Sequence, residues 1–345
     1  MKAMVLAGGK STRLYPLTLS VPKPNVPVAG EPNVAHVLRY LQSYSITDIA
    51  MNVHYLADQV TSTFGDGSAY GVKLTYLHEK ELMGSAGALK AMEHYFDDTF
   101  VVVGCDDLTD MNLDTLVDFH IRRRALASIA LVHAEDVEQY GVVIVEENGR
   151  IRNFQEKPLK GTESSHLVNT GVYIFEPAIF KHIPENQFFD FGKNVFPNIL
   201  AAREPFFALE MRDAYWCDIG TPSEYRRANF DVVSQRVHLP EVQASRIAGD
   251  AELADSVVIE GPVHVGHRTK IAKGARIAGP SVIGDDCTIG EEAFLERTIL
   301  WDGVNVGAKA RLVDVIAGAG YRVAGGVHLN DTIVAPEPAA GSSVT

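Results

Sequence analysis

Cysteine is scarce in this chain. Its 345 residues include only Cys105, Cys217 and Cys287. They lie far apart and form no C-x-x-C pair, which argues against a disulfide framework or a cysteine zinc site and favours a reducing compartment. Long apolar runs are missing as well. Nothing approaches the roughly 20 apolar residues that span a bilayer, and the short apolar run in MKAMVLAGGK is too brief for a signal-peptide core. A soluble, cytoplasmic protein without a membrane partner is expected. Bases are also few: 31 Lys and Arg stand against 44 Asp and Glu, a formal charge of −13, which argues against a nucleic-acid partner.

What is present is ample core material, with 46% hydrophobic and 22% charged residues, and length for two domains. Charge is unevenly spread. Residues 1–30 carry Lys2, Lys10, Arg13 and Lys23 and no acid, so a local anion site is expected there.

Through about residue 235, short β-rich runs alternate with helical patterns. Ala3–Leu6, Ile49–Val53, Phe100–Val103, Ile129–Val132, Val142–Val145 and Val172–Phe175 read as strands, and Val34–Ser43 and Leu113–Arg124 as helices. This spacing predicts βαβ units and an α/β fold with a mostly parallel sheet, whose ligands bind at the carboxyl ends of strands.

Beyond residue 250 the period changes. Ile259, Val265, Ile271, Ile277, Ile283, Ile289 and Leu295 recur every sixth position, with Gly266, Ala272, Ala278, Gly284 and Gly290 following five of them. Hexapeptide repeats of this kind predict a β-helix with one aliphatic per hexad stacked inside, expected to be left-handed. The phase slips by one to Leu300, Val306 and Leu312 and resumes less cleanly at Val323 and Leu329. The expected domains are 1–235, a linker over 236–250, the β-helix over 251–334 and a disordered tail over 335–345. His264, His267 and His328 are expected to be surface histidines.

The first strand runs into Ala7-Gly8-Gly9-Lys10-Ser11-Thr12-Arg13-Leu14. Glycines there let backbone N–H groups approach phosphate oxygens, and Arg13 can grip them with its planar fork. A P-loop is excluded, because its first glycine falls at Met4 and Pro16, Pro22, Pro24 and Pro27 forbid the helix that must follow. Lys23, between Pro22 and Pro24, sits on a stiff segment that holds its ammonium in place.

Together LAGGKSTRLYPLT and VPKPNVPV resemble the opening of the sugar-1-phosphate nucleotidyltransferase family, most nearly the mannose-1-phosphate guanylyltransferases. The resemblance continues in order through Gly84-Ser85-Ala86-Gly87-Ala88, Asp106 in GCDDLTD, Phe154-Gln155-Glu156-Lys157-Pro158, Asn169-Thr170-Gly171 and Trp216-Cys217-Asp218-Ile219-Gly220. It covers essentially all of 1–235, and a hexapeptide domain also occurs in that family. The chain departs from the family pattern at Ser11 and Cys105, both usually glycine.

The resemblance implies a Rossmann-like catalytic domain and in-line attack by a hexose 1-phosphate on the α-phosphorus of a nucleoside triphosphate. No protein nucleophile is required, so catalysis is positioning and charge neutralisation. It implies that Arg13 and Lys23 neutralise the triphosphate and that Lys157 holds the sugar phosphate. Ala7, Gly8, Gly9, Ser11, Thr12 and Gly84 would line the nucleotide, and Gly141, Glu156, Asn169 and Thr170 the sugar. Asp106 and Asp218 would hold Mg²⁺, a hard ion that suits oxygen-only ligands. Cys105 and Cys217, each preceding one of those aspartates, should point to the opposite strand face as small buried hydrophobes.

For the base, a carboxylate accepts two hydrogen bonds from guanine, whereas a pyrimidine's carbonyl oxygens would be repelled. Glu81 is the first candidate and Glu79 the second, which favours GTP. Mannose 1-phosphate is the expected acceptor. The alternatives are thymidylyl or uridylyl transfer to glucose 1-phosphate, or a non-catalytic paralogue that senses nucleotide sugars. The exposed end coil of a β-helix needs covering, so a homo-oligomer is expected.

Overall fold

The computed structural model describes residues 1–239 and 246–337; part of the expected linker and most of the expected tail fall outside these residues. The chain divides into two compact units, the first formed by Met1–Lys10 and Val34–Trp216, the second by Ser11–Asn33 and Cys217–Thr345.

The first unit is built on a nine-stranded sheet. Its strands are β1 (Lys2–Leu6), β2 (Asp48–Val53), β3 (Lys73–His78), β4 (Phe100–Gly104), β5 (Ala127–His133), β6 (Gly141–Val145), β7 (Ile151–Glu156), β8 (Leu167–Phe175) and β9 (Phe206–Glu210). The spatial order is β7–β6–β8–β4–β1–β2–β3, with β5 paired to β8 and β9. The Rossmann-like parallel arrangement is carried by β3, β2, β1 and β4. Beyond β4 the sheet continues antiparallel through β8. Side chains of β1 alternate between faces, so Ala3 and Val5 enter one core and Met4 the other. The helices are α1 (Asn33–Ser43), α2 (Ala57–Phe64), α3 (Gly84–Ala91), α4 (Leu113–Arg123) and α5 (Phe196–Ala201), with α6 (Pro222–Val233) in the second unit. Val34, Val37, Leu38 and Leu41 of α1 form one buried stripe at helical spacing. Among the described residues no helix is long and apolar enough to cross a membrane.

The second unit holds short strands in parallel ladders, consistent with a β-helix. Ile259 pairs with Ile277, Ile277 with Leu295, and Leu295 with Leu312. The first two steps are three hexads long and the third is one residue shorter, which accounts for the phase slip in the sequence. Val265, Ile271, Ile277, Ile283, Ile289 and Leu295 are buried in one core, while Ile259 is only partly buried against it. The ladder begins before residue 251, since Arg246 and Ile247 already pair with His264 and Val265. Within this unit α6 carries Tyr225, fully buried, whose hydroxyl donates to the Pro27 carbonyl at 2.6 Å and accepts from the Trp301 indole at 2.8 Å. Asn229 accepts from the Ala29 amide at 2.9 Å. These bonds seat the hairpin Pro27–Val28/Glu31–Pro32.

Candidate active site

The glycine loop expected to line the nucleotide starts where β1 ends. Gly9 has open space around it, whereas a Cβ on Gly8 would come within 2.7 Å of Glu79 Oε2 and 2.8 Å of Asn52 Nδ2. Asn52, buried at the end of β2, accepts from the Ala7 amide at 2.9 Å and donates to Glu79 Oε2 at 2.6 Å. The second oxygen of Glu79 accepts from the Met83 amide at 3.0 Å. Glu79, the second candidate from the sequence, is thus the carboxylate beside the glycine loop. Glu81 is exposed on the connection to α3. Leaving β3, Glu79 is tied back by its amide to the Val53 carbonyl at 2.9 Å, and Glu81 has no such anchor among the described bonds of that connection.

Gly84 opens α3 with φ +76°, and a Cβ there would meet the Phe189 carbonyl at 2.5 Å. The Ala86 and Gly87 amides both donate to that carbonyl at 3.0 Å. Ser85 donates to Asp190 Oδ2 at 3.0 Å and accepts from the Phe191 amide at 3.0 Å, joining α3 to the π-helical turn Phe191–Val195.

That turn also packs against Glu156, one of the residues expected at the sugar. Glu156 ends β7 opposite Gly141, and a Cβ on Gly192 would collide with its carboxylate. Burial raises the Glu156 pKa; Asp190 adds to the rise, and Lys157 and Lys193 oppose it. Lys157 has a left-handed φ of 48° and its amide donates to the Tyr140 carbonyl at 3.0 Å. Gly141 packs so closely on Phe154 that a Cβ would lie 2.5 Å from the ring. Asn169 donates to the Tyr173 hydroxyl at 2.8 Å and accepts from the Gly171 amide at 3.0 Å.

Thr170 departs from the expectation. Its side chain is buried, donates to the Ala130 carbonyl at 2.9 Å and accepts from the Val172 amide at 3.3 Å. The hydroxyl is used inside the sheet, so a sugar contact from it is not available. Alternation along β8 places Asn169 and Thr170 on opposite faces.

Asp106 follows β4, half-buried; a Cβ on Gly104 would lie 2.7 Å from its carboxylate. The adjacent Asp107 is structural, accepting from the Gly104 amide at 2.9 Å and the Trp216 indole at 3.0 Å. In the second unit Ser11 adopts the left-handed conformation at φ 52°, which is why glycine suits that position. Thr12 and Arg13 form the 3₁₀ turn after it. Asp218 lies between Arg13, at 3.8 Å, and Lys23, at 3.7 Å. Cys105 and Cys217 are buried free thiols, and burial pushes the Cys217 thiol far above its ordinary value. No cluster of three or more His, Cys, Asp or Glu side chains suited to a metal occurs among the described residues. Magnesium does not need one, since it is commonly held by one or two carboxylates plus phosphate oxygens and water. Oxygen donors such as Asp106 and Asp218 fit that pattern.

A Rossmann-like sheet, a glycine loop at the end of its central strand and carboxylates at strand ends define the class of enzymes that transfer nucleotidyl groups. Comparison with known proteins agrees. Residues 2–235 match the Nucleotidyl transferase family and 246–344 the GMPPB C-terminal domain; the chain belongs to the Nucleotidyl transferase family. It is 38% identical to a UTP–glucose-1-phosphate uridylyltransferase of Synechocystis, over 94% of this chain and 88% of that protein. It is 32% identical to a mannose-1-phosphate guanylyltransferase of Mycobacterium tuberculosis, over 89% of this chain and 81% of the relative. A solved Bacillus anthracis structure assigned as a glucose-1-phosphate thymidylyltransferase has a TM-score of 0.62 at 27% identity, covering 70% of this chain and 98% of its own. The protein is a sugar-phosphate nucleotidyltransferase.

Proposed function

We propose that this enzyme transfers GMP from GTP to mannose 1-phosphate, releasing pyrophosphate and forming GDP-mannose. The observation that carries the choice of base is Glu79. Its two oxygens each accept one protein hydrogen bond, leaving a second lone pair on each for the N1–H and 2-amino donors of guanine. A pyrimidine would bring carbonyl oxygens against that carboxylate.

The phosphate of the sugar is already an anion, so its attack on the α-phosphorus requires no general base. The chain's contribution is to align the two phosphates and neutralise their charge. Arg13 and Lys23 do this at the triphosphate and at the departing pyrophosphate, and Lys157 holds the sugar phosphate. The amides of Gly8, Gly9, Ser11 and Thr12 line the triphosphate, on a loop that the Ala7–Asn52 bond holds in place. Glu156, Asn169 and the Gly141 backbone orient the sugar hydroxyls. Asp106 and Asp218 are the oxygen ligands assigned to Mg²⁺, which when bound supplies charge neutralisation between the phosphates. Free buried thiols support a reducing cytoplasmic setting. A homo-oligomer covers the end of the coil in this reading; a concentration-independent monomer in sedimentation would refute it.

The 38% identity to a uridylyltransferase supports a second reading, UMP transfer to glucose 1-phosphate. Pyrophosphate release with Mg²⁺, across GTP, UTP, dTTP and ATP paired with mannose 1-phosphate and glucose 1-phosphate, separates the two. Release confined to GTP with mannose 1-phosphate supports the first, and release with UTP and glucose 1-phosphate replaces it with the second.

A further inference from the structure

We infer that Asn52 is a positioning residue that fixes position 79 as a double acceptor, so that the enzyme's base choice is set by the pair Asn52–Glu79 rather than by Glu79 alone. This rests on the reading of Glu79 as the base-recognising carboxylate.

A primary amide has two chemically different ends, and its orientation is often ambiguous. At Asn52 both neighbours settle it. The Ala7 amide can only donate, so the atom facing it at 2.9 Å must be Oδ1. The Nδ2 end therefore faces position 79, where it meets Glu79 Oε2 at 2.6 Å. The other oxygen of Glu79 meets a second obligate donor, the Met83 amide, at 3.0 Å. Position 79 is thus read from both sides by N–H groups. A glutamine there must direct its own NH₂ at one of them, donor against donor, in a partly buried place where a mismatched polar group is costly. Flipping Asn52 to accommodate it would strand the Ala7 amide, which is buried and opens the nucleotide loop. The two ends of the amide thereby couple the shape of that loop to the identity of the group facing the base.

The arrangement has a defined inverse. An aspartate at 52 still accepts from Ala7 with one oxygen and accepts from a glutamine at 79 with the other. That glutamine then takes the Met83 amide on its carbonyl and shows the base one acceptor and one donor. Such an edge pairs with N3–H and a carbonyl of uracil or thymine.

The test is a double-mutant cycle of Asn52→Asp and Glu79→Gln on the full chain. Its readouts are kcat/KM for GTP, UTP and dTTP, nucleotide binding by calorimetry and the thermal midpoint of each variant. Either single change should lower kcat/KM for the wild-type nucleotide by roughly 10²-fold. Combining them should recover binding and thermal midpoint and raise the UTP-to-GTP ratio about tenfold or more over wild type. Additive losses in the double variant would overturn the inference, as would a Glu79→Gln enzyme that already behaves like the double. Should the aspartate variants fail to fold, Asn52→Ala serves instead: retained base discrimination at a lowered thermal midpoint would reduce Asn52 to a structural residue and overturn the proposal. The cycle is scored on whichever nucleotide the wild type prefers. A pyrimidine-preferring wild type therefore defeats the guanylyl reading without touching the coupling, and additivity defeats the coupling without touching that reading.

Discussion

Lys23 and Asp218 face each other at 3.7 Å, the lysine side chain only 10% exposed and the aspartate 18%. An ammonium that deep is tolerable because a carboxylate is beside it. Arg13 approaches the other oxygen of Asp218 at 3.8 Å but is 44% exposed. The two cations thus serve the same charge with different dependence on it.

Different burial leads to different outcomes on removal. Lys23→Met removes the more buried of the two cations beside a mostly buried carboxylate, so it should lower the thermal midpoint by several degrees and kcat/KM by about 10²–10³-fold. Arg13→Met should cost comparable activity while leaving the midpoint within about a degree, because an exposed pair contributes little to stability. Steady-state pyrophosphate release and calorimetric melting on both variants check this. Equal losses of stability would show that burial does not separate their roles.

Glu81 and Glu79 are two residues apart in sequence but differ in surroundings. Glu81→Gln, at an exposed position, should leave kcat/KM for GTP within about twofold, as surface substitutions usually do. Glu79→Ala removes the acceptor of two protein hydrogen bonds and should lower it by roughly 10²-fold. The reverse ranking in the same assay would return the base contact to Glu81.

Residues whose role follows from local chemistry were legible in the sequence. The six-residue period marked the buried aliphatics from Val265 to Leu295, because each sits at an equivalent place in a coil. Prolines on both sides of Lys23 marked a stiff basic segment. Strands with continuous apolar runs, such as Phe100–Gly104, were also plain. Lys73–His78 was not, because it pairs on one side only and carries polar residues. The contacts of Asn52 and Asp190 were not legible for another reason. Asn52 gains its role from Ala7 and Glu79, brought beside it by sheet pairing, and Asp190 from Ser85, 105 residues away. Such roles exist only after the chain has folded. His264 was expected on the surface and is instead half-buried, because the seated hairpin brings Gly30 against it.

Glu156 predicts a pH dependence. Burial raises its pKa in the folded protein above the ordinary carboxylate value. A raised pKa means that its contribution to stability is complete below the unfolded pKa, about 4.3, and is lost as pH climbs through the folded value. Glu156→Gln should therefore raise the thermal midpoint at pH 7 and leave it unchanged near pH 4. Activity should move oppositely. The ionised carboxylate is the stronger acceptor for a sugar hydroxyl, so wild-type kcat/KM for the sugar phosphate should fall on acidification at a higher pH than an ordinary carboxylate would give. The glutamine variant should lack that limb and show a higher KM for the sugar phosphate. An unchanged acid limb would remove Glu156 from the sugar site.

Gly30 and His264 form a pair within the second unit whose cost can be divided. A Cβ on Gly30 would lie 2.7 Å from His264 Nε2, and Gly30 has φ +85°. Burial lowers the His264 pKa to about 4; Arg246 adds to the fall, while Asp285 and Glu31 oppose it. A depressed histidine favours the neutral fold, so its contribution is complete above the unfolded pKa, about 6.5, and is lost as pH falls toward 4. Wild-type stability should accordingly decline over that window, and His264→Gln should flatten the decline. Gly30→Ala combines two penalties, the contact with the imidazole and the left-handed backbone. Only the second, roughly 1–2 kcal/mol, should remain when His264 is first replaced by alanine. Denaturant unfolding of the two single variants and the double measures the difference. Full additivity would mean that the imidazole yields freely and that backbone strain alone fixes glycine at this turn.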